Sequence, residues 1–258
     1  MTGDTSMSTR EWRQKLQASA PEGGHETYVG RTVRFWSIYL TRVLARTPLT
    51  PNQITVISVL IFISGISLFI FNDYWFNLAG VALIYFSIIF DACDGEIARL
   101  KGNKTRAGAY VEPVSHDIQY GLLFIPLTIG LCRAGYGASI IYVGYFATIF
   151  KLWIRFLEFR FLGLKQYLGL EPAMSSAGAS RPQVRQTWRR RLSFFINRNI
   201  FSSVGMVFPL LLCALFNRLD VFVWLFMAGF CFIFSFHFVR QVLYVSGLTK
   251  RFEQTILS

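Results

Sequence analysis

The sequence predicts an all-α integral membrane protein with six transmembrane helices and an N-terminal amphipathic helix at the membrane interface. Three observations carry this. The 258 residues are 53% hydrophobic and include 26 Phe, above the roughly 45–50% apolar content of a soluble domain. The apolar residues gather in six blocks, 53–72, 75–93, 109–132, 137–162, 197–216 and 220–245. Each is near the ~20 residues a helix needs to cross a bilayer. Lys and Arg are distributed one-sidedly around those blocks. With the N-terminus in the cytoplasm, the four inward segments carry 7, 4, 10 and 3 of them, 24 of the 26, and only Arg133 and Arg218 stay outside. Positive residues mark cytoplasmic loops, so both termini are expected inside. This topology explains most of the net charge of +12 without nucleic acid as a partner.

The elements follow in order. Residues 1–30 form a polar segment without the apolar stretch of a cleavable signal. Ser8 and Glu11 have capping-box spacing ahead of Trp12 and Leu16. Residues 31–47 mix Arg31, Arg34, Arg42 and Arg46 with Phe35, Trp36 and Tyr39. That pattern suits a helix lying on the membrane surface. Pro51 in "LTPNQIT" fits a first helical turn, and Asn52 beside it either caps or contacts a ligand. The membrane domain is expected over 31–250, with a cytoplasmic loop at 164–195 whose middle is rich in Ala, Ser, Gly and Pro. Arg189-Arg190-Arg191 reads as topological charge or a contact to anionic headgroups. The four cysteines form no CxxC pair, so neither a zinc site nor a disulfide framework is suggested.

Residues 91–117, "DACDGEIARLKGNKTRAGAYVEPVSHD", hold the chemistry. Carboxylates inside a membrane are costly and tend to be functional. On a helix at about 100° per residue, Asp94, Gly95, Ala98 and Arg99 fall within roughly 80° of Asp91, on one face. In the next block Gly108, Glu112 and His116 recur at i, i+4 and i+8. Asp117 points about 100° further round. A short basic connection lets the two stripes face each other. Converging acids repel unless a cation neutralises them, and carboxylates are preferred ligands of Mg²⁺ or Mn²⁺. Gly95, Ala98 and Gly108 leave room for a ligand, and Arg99 offers donors to a phosphate oxygen. The bland alternative is that the acids mark helix ends and pair with Lys101, Lys104 and Arg106.

This stretch resembles the signature D-x2-D-G-x2-A-R-x8-G-x3-D-x3-D of the CDP-alcohol phosphotransferase family. Asp91, Asp94, Gly95, Ala98, Arg99 and Gly108 match. Glu112 stands at the third acidic position and His116 at the fourth. The six-helix layout, the interfacial helix and "TPN" before the first span also resemble the family. The resemblance implies that Asp91, Asp94 and Glu112 bind Mg²⁺ or Mn²⁺. It implies that Asn52, Gly95, Ala98, Arg99 and Gly108 hold the nucleotide, and that His116 is the general base. An imidazole is competent in that role near neutral pH. It is a poorer Mg²⁺ ligand than a carboxylate, which leaves open whether one metal or two are held.

The implied reaction moves a phospho-alcohol, such as the phosphatidyl group of CDP-diacylglycerol, onto an acceptor hydroxyl and releases CMP. Asp117 is the alternative base should Pro113 distort the helix. Arg155 is a possible counterpart of the arginines that hold phosphorylated acceptors in family members, or simply pairs with Glu158 at i, i+3. His25 is expected in solvent and His237 in a helix–helix hydrogen bond. Membrane lipids and a homodimer are the further partners implied, in a prokaryotic plasma membrane. The rival classes are a homologue that binds nucleotide or lipid without turnover, and a transporter. A transporter would more typically place its acids at mid-membrane between repeats.

Overall fold

The chain is seen in a computed structural model that describes residues 8–17, 28–102, 106–169 and 197–256, with backbone alone at 106–113, 197–198 and 248–256. Every regular element among the described residues is helical. The helices are α1 (Thr9–Gln17), α2 (Tyr28–Leu44), α3 (Pro51–Ser67), α4 (Tyr74–Lys101), α5 (Arg106–Leu122), α6 (Phe124–Leu131), α7 (Ser139–Tyr167), α8 (Val207–Leu215) and α9 (Leu219–Ile256). The expected residues His25, Arg189, Arg190 and Arg191, and most of the loop at 164–195, lie outside the described residues.

Local chemistry sets the helix ends. Ser8 and Glu11 form the expected capping box: the Ser8 amide donates to Glu11 Oε2 at 2.7 Å, and the Glu11 amide donates to Ser8 Oγ at 3.4 Å. Thr50 caps α3, with Gln53 closing the box and Pro51 at the first helical position. Asn52 is therefore not the cap. Asp73 starts α4 by accepting from the amides of Trp75 and Phe76. Gly102 ends it with φ of 66°, and its amide donates to Ala98 O. This left-handed conformation carries no steric penalty for glycine.

Among the described residues, five helical segments are long and apolar enough to cross a membrane: Pro51–Phe71, Tyr74–Lys101, Val114–Tyr136, Ser139–Tyr167 and Leu219–Gly247. The molecule is a multi-pass membrane protein. The block expected as one helix over 197–216 is divided among the described residues. A π-turn at Asn197–Phe201 leads through a bend into the nine-residue α8. The physical reason is close packing at the bend. A Cβ on Gly205 would lie 2.6 Å from the Asn199 carbonyl, and Gly229 of α9 leaves space for the Phe201 ring.

α3 and α4 form the tightest pair near the site. A Cβ on Gly80 would approach the Gly65 carbonyl oxygen to 2.7 Å, so the two backbones touch. Small residues allow this approach in membrane helices, where dispersion rather than water drives association. The core runs through Ile54, Phe62, Phe69, Ile84, Phe124 and Phe226. Large apolar side chains such as Leu60, Phe86, Tyr142, Trp153 and Phe232 point outward, as a lipid-facing surface requires. α1 and α2 pack on the C-terminal end of α4, with Trp12 and Leu16 buried beside Ile38 and Leu100.

Candidate active site

The site is built where the last turns of α4 face the first turns of α5. Along α4 the apolar run gives way to Asp91, Asp94, Gly95, Ala98 and Arg99 on one face. Asp94 is buried and accepts a short hydrogen bond from the Thr55 hydroxyl of α3. Asn52 lies one turn before Thr55 on α3 and is exposed. The Arg99 guanidinium folds back over Gly95: a Cβ at Gly95 would stand 3.5 Å from Arg99 Nη1. Arg99 Nε is buried without a hydrogen-bond partner among the described residues.

α5 brings His116 to these acids. Its Nε2 is 3.1 Å from Asp91 Oδ2. The imidazole lies nearly parallel to the Tyr120 ring, with centroids 6.2 Å apart, and Tyr120 in turn meets Phe62 edge-on. This stack fixes the ring plane of His116 from behind. Asp117, the next residue, turns away. Its Oδ1 accepts from Arg155 Nε of α7 at 2.8 Å, and Arg155 Nη1 reaches Glu158 Oε2 at 3.4 Å. The two candidate bases thus face different groups, as their helical phase requires. Gly108 and Glu112 lie on the α5 backbone in the expected register, but the Glu112 side chain lies outside the described residues.

Beside His116 opens a cavity of about 380 Å³ between α5, α7, the 201–203 bend and α9. Asp117, Lys151, Arg155, Glu158, Ser202 and His237 line it. Lys151 is buried, reaches the Phe201 carbonyl at 3.4 Å and sits over the Phe230 ring. His237, expected to bond another helix, instead forms part of the cavity wall.

The divalent cation expected from the sequence fits this donor set. Asp91 Oδ1 is buried and has no hydrogen-bond partner among the described residues. A buried carboxylate oxygen left without a donor is costly and suits a hard cation. Among the described side chains no group of three or more His, Cys, Asp or Glu stands ready to hold an ion. The remaining expected ligand, Glu112, is outside that set.

Sequence reasoning missed Glu96. It is 2% exposed and lies between two site residues, yet it faces away from them. Its carboxylate accepts from Ser37 Oγ at 2.7 Å, Thr41 Oγ1 at 2.6 Å and Gln17 Nε2 at 2.8 Å. It therefore fastens α1 and α2 to the helix that carries the acids. The signal was present: Ser37 and Thr41 are spaced i, i+4 on the buried side of an otherwise basic and aromatic helix. Thr55 and Tyr120 were also passed over as site residues, because nothing local distinguishes them from helix-packing residues.

Comparison with known proteins agrees with this architecture. The chain is 32% identical over 115 residues to the bifunctional IPC transferase and DIPP synthase of Archaeoglobus fulgidus, covering 44% of this chain and 22% of that protein. It is 32% identical over 89 residues to phosphatidylinositol phosphate synthase of Mycobacterium tuberculosis, covering 34% of this chain and 40% of that protein. The aligned stretches thus span well under half of either relative. The crystal structure of the Mycobacterium tuberculosis phosphatidylinositol phosphate synthase with CDP-DAG bound shares the fold. Its TM-score is 0.54 at 20% identity, over 80% of this chain and 94% of that one. Residues 48–175, which contain the whole α4–α5 site, match the family model described as CDP-alcohol phosphatidyltransferase. On that match, the chain belongs to the CDP-alcohol phosphatidyltransferase family.

Proposed function

We propose that this protein transfers a phospho-alcohol group from a CDP-alcohol to an acceptor hydroxyl, releasing CMP and forming a phosphodiester in membrane lipid synthesis. The observation that carries the reading is the contact of His116 with Asp91, which joins the base position to the acidic face of α4. The donor is CDP-diacylglycerol or a related CDP-alcohol. The family is metal-dependent, and Mg²⁺ or Mn²⁺ is the ion that Asp91, Asp94 and Glu112 would hold. Such an ion neutralises charge on the diphosphate.

The protein's own groups do the rest. Gly95, Ala98 and Gly108 leave space for the cytidine diphosphate, Arg99 donates to it, and Asn52 at the α3 N-terminus reaches its polar edge. The acceptor enters the cavity beside His116, where Arg155 contacts it. The acceptor's hydroxyl proton passes to the imidazole, and the Asp91 carboxylate supports the imidazolium that forms. The acceptor oxygen bonds to the phosphorus bearing the donor alcohol. The bond from that phosphorus to the bridging oxygen breaks, and CMP leaves with the electron pair. The Tyr120 stack holds the ring in place for this transfer.

The one-sided distribution of Lys and Arg supports cytoplasmic termini and a cytoplasmic site, in the plasma membrane of a prokaryote. The test is CMP release by the protein in detergent with Mg²⁺ or Mn²⁺, CDP-diacylglycerol or soluble CDP-alcohols, and a panel of hydroxyl acceptors. Acceptor-dependent release in the wild type that is lost in His116→Ala supports the proposal. A wild type that binds CDP in a metal-dependent way but releases no CMP with any pair would move the reading to a binding protein.

A further inference from the structure

We infer that the acceptor is an uncharged polyhydroxylated alcohol rather than a phosphorylated one. The inference rests on the transfer reading above and concerns the cavity beside His116. That cavity carries two cations, Lys151 and Arg155, and two carboxylates, Asp117 and Glu158. Among the described side chains its formal charge is zero with both histidines neutral.

The placement matters more than the sum. Arg155 is the cation a phosphorylated acceptor would need, and it is committed. Nε is bonded to Asp117 at 2.8 Å, Nη1 stands 3.4 Å from Glu158, and the guanidinium lies over the Phe159 ring. A phosphate approaching Arg155 would meet the two carboxylates already paired with it, Asp117 and Glu158. Like charges so placed repel. Lys151 is held back by the Phe201 carbonyl and the Phe230 ring.

A polyol fits the same groups without conflict. Each hydroxyl both donates and accepts. The carboxylates of Asp117 and Glu158 accept from such groups, and the remaining Arg155 N–H groups donate to them.

The experiment uses the full chain in detergent with metal and CDP-alcohol, and acceptor pairs that differ only by a phosphate: glycerol against glycerol 3-phosphate, and inositol against inositol phosphate. The expected result is a kcat/KM at least about tenfold higher for the unphosphorylated member of the productive pair. A preference for the phosphorylated member overturns the inference and leaves the transfer reading standing. Glu158→Gln removes one carboxylate and releases Arg155 Nη1, so it shifts the ratio toward the phosphorylated acceptor. A purely structural role for Glu158 would lower both rates together. If no pair releases CMP, the transfer reading fails, and the cavity is judged by binding. Inorganic phosphate is titrated against thermal stability with CDP and Mg²⁺ saturating. No stabilisation of the wild type, with stabilisation of Glu158→Gln, upholds a cavity that rejects anions. Saturable stabilisation of the wild type that Lys151→Met removes overturns it.

Discussion

His116 Nε2 lies 3.1 Å from Asp91 Oδ2, joining α5 to α4, while the neighbouring Asp117 is bound to Arg155 of α7. Two adjacent residues on one helix therefore serve different surroundings. One faces the acids of α4 and the other pairs with α7, although both border the cavity.

This division separates two variants. Replacing His116 with Ala removes the group that meets Asp91. It should lower kcat by about 10²–10⁴, the usual contribution of a positioned acid–base group, while CDP binding survives. Asp117→Asn should keep more than about a tenth of wild-type kcat, because its loss costs one partly exposed ion pair of about 0–1 kcal/mol. Single-turnover CMP release by both variants decides the point. Loss in Asp117→Asn alone would assign the proton transfer to Asp117 instead of His116.

Metal removal should act through the acids of α4. Chelation should abolish CMP release, and Mg²⁺ or Mn²⁺ should restore it. The same ions should raise thermal stability in the presence of CDP, since a ligand bound only by the folded state stabilises it by mass action. Asp91→Asn should weaken both responses. Stabilisation by the ions that is unchanged in Asp91→Asn and Asp94→Asn would place the metal elsewhere.

Glu96 should be structural and strongly so. In Glu96→Leu the donors of Ser37, Thr41 and Gln17 lose a shared charged acceptor. Ser37 and Gln17 keep the Arg34 carbonyl as an acceptor, but a buried group left without a partner costs about 1–3 kcal/mol, so the docking of α1 and α2 on α4 should loosen. The expected readings are a lower unfolding temperature in detergent and faster proteolysis ahead of α3. Unchanged proteolysis would show that this network does not hold the N-terminal helices.

The α3–α4 contact should tolerate no added volume. Gly80→Val places atoms where the Gly65 carbonyl already stands, and overpacking of this kind costs about 1–3 kcal/mol. Thermal unfolding in detergent measures it. A variant as stable as wild type would mean that the helices can part without loss, and that the Thr55–Asp94 bond does not depend on their close approach.

Much of this was legible from the chain. The apolar spans outside 197–216, the helix start at Pro51, the cap at Ser8 and the shared face of Asp91, Asp94 and Arg99 follow from local sequence pattern, block length and the 3.6-residue repeat. So does the difference of about 100° between His116 and Asp117. The block at 197–216 was not legible as a divided element. Its apolar content resembles a single span, and the bend depends on the fit of Phe201 against Gly229 of another helix. Glu96 escaped notice for a related reason. Beside two site acids it reads as a third, and only its partners on α1 and α2 show that it points the other way.

The sequence by itself determined which residues carry charge into the membrane and at what angular spacing, because a helix fixes the phase of its side chains once it forms. Tertiary structure decided which of those charges meet. Whether Arg155 is open to an incoming phosphate or enclosed by Asp117 and Glu158 depends on how α5 and α7 pack. That packing is set by contacts between residues distant in the chain, which no local spacing records.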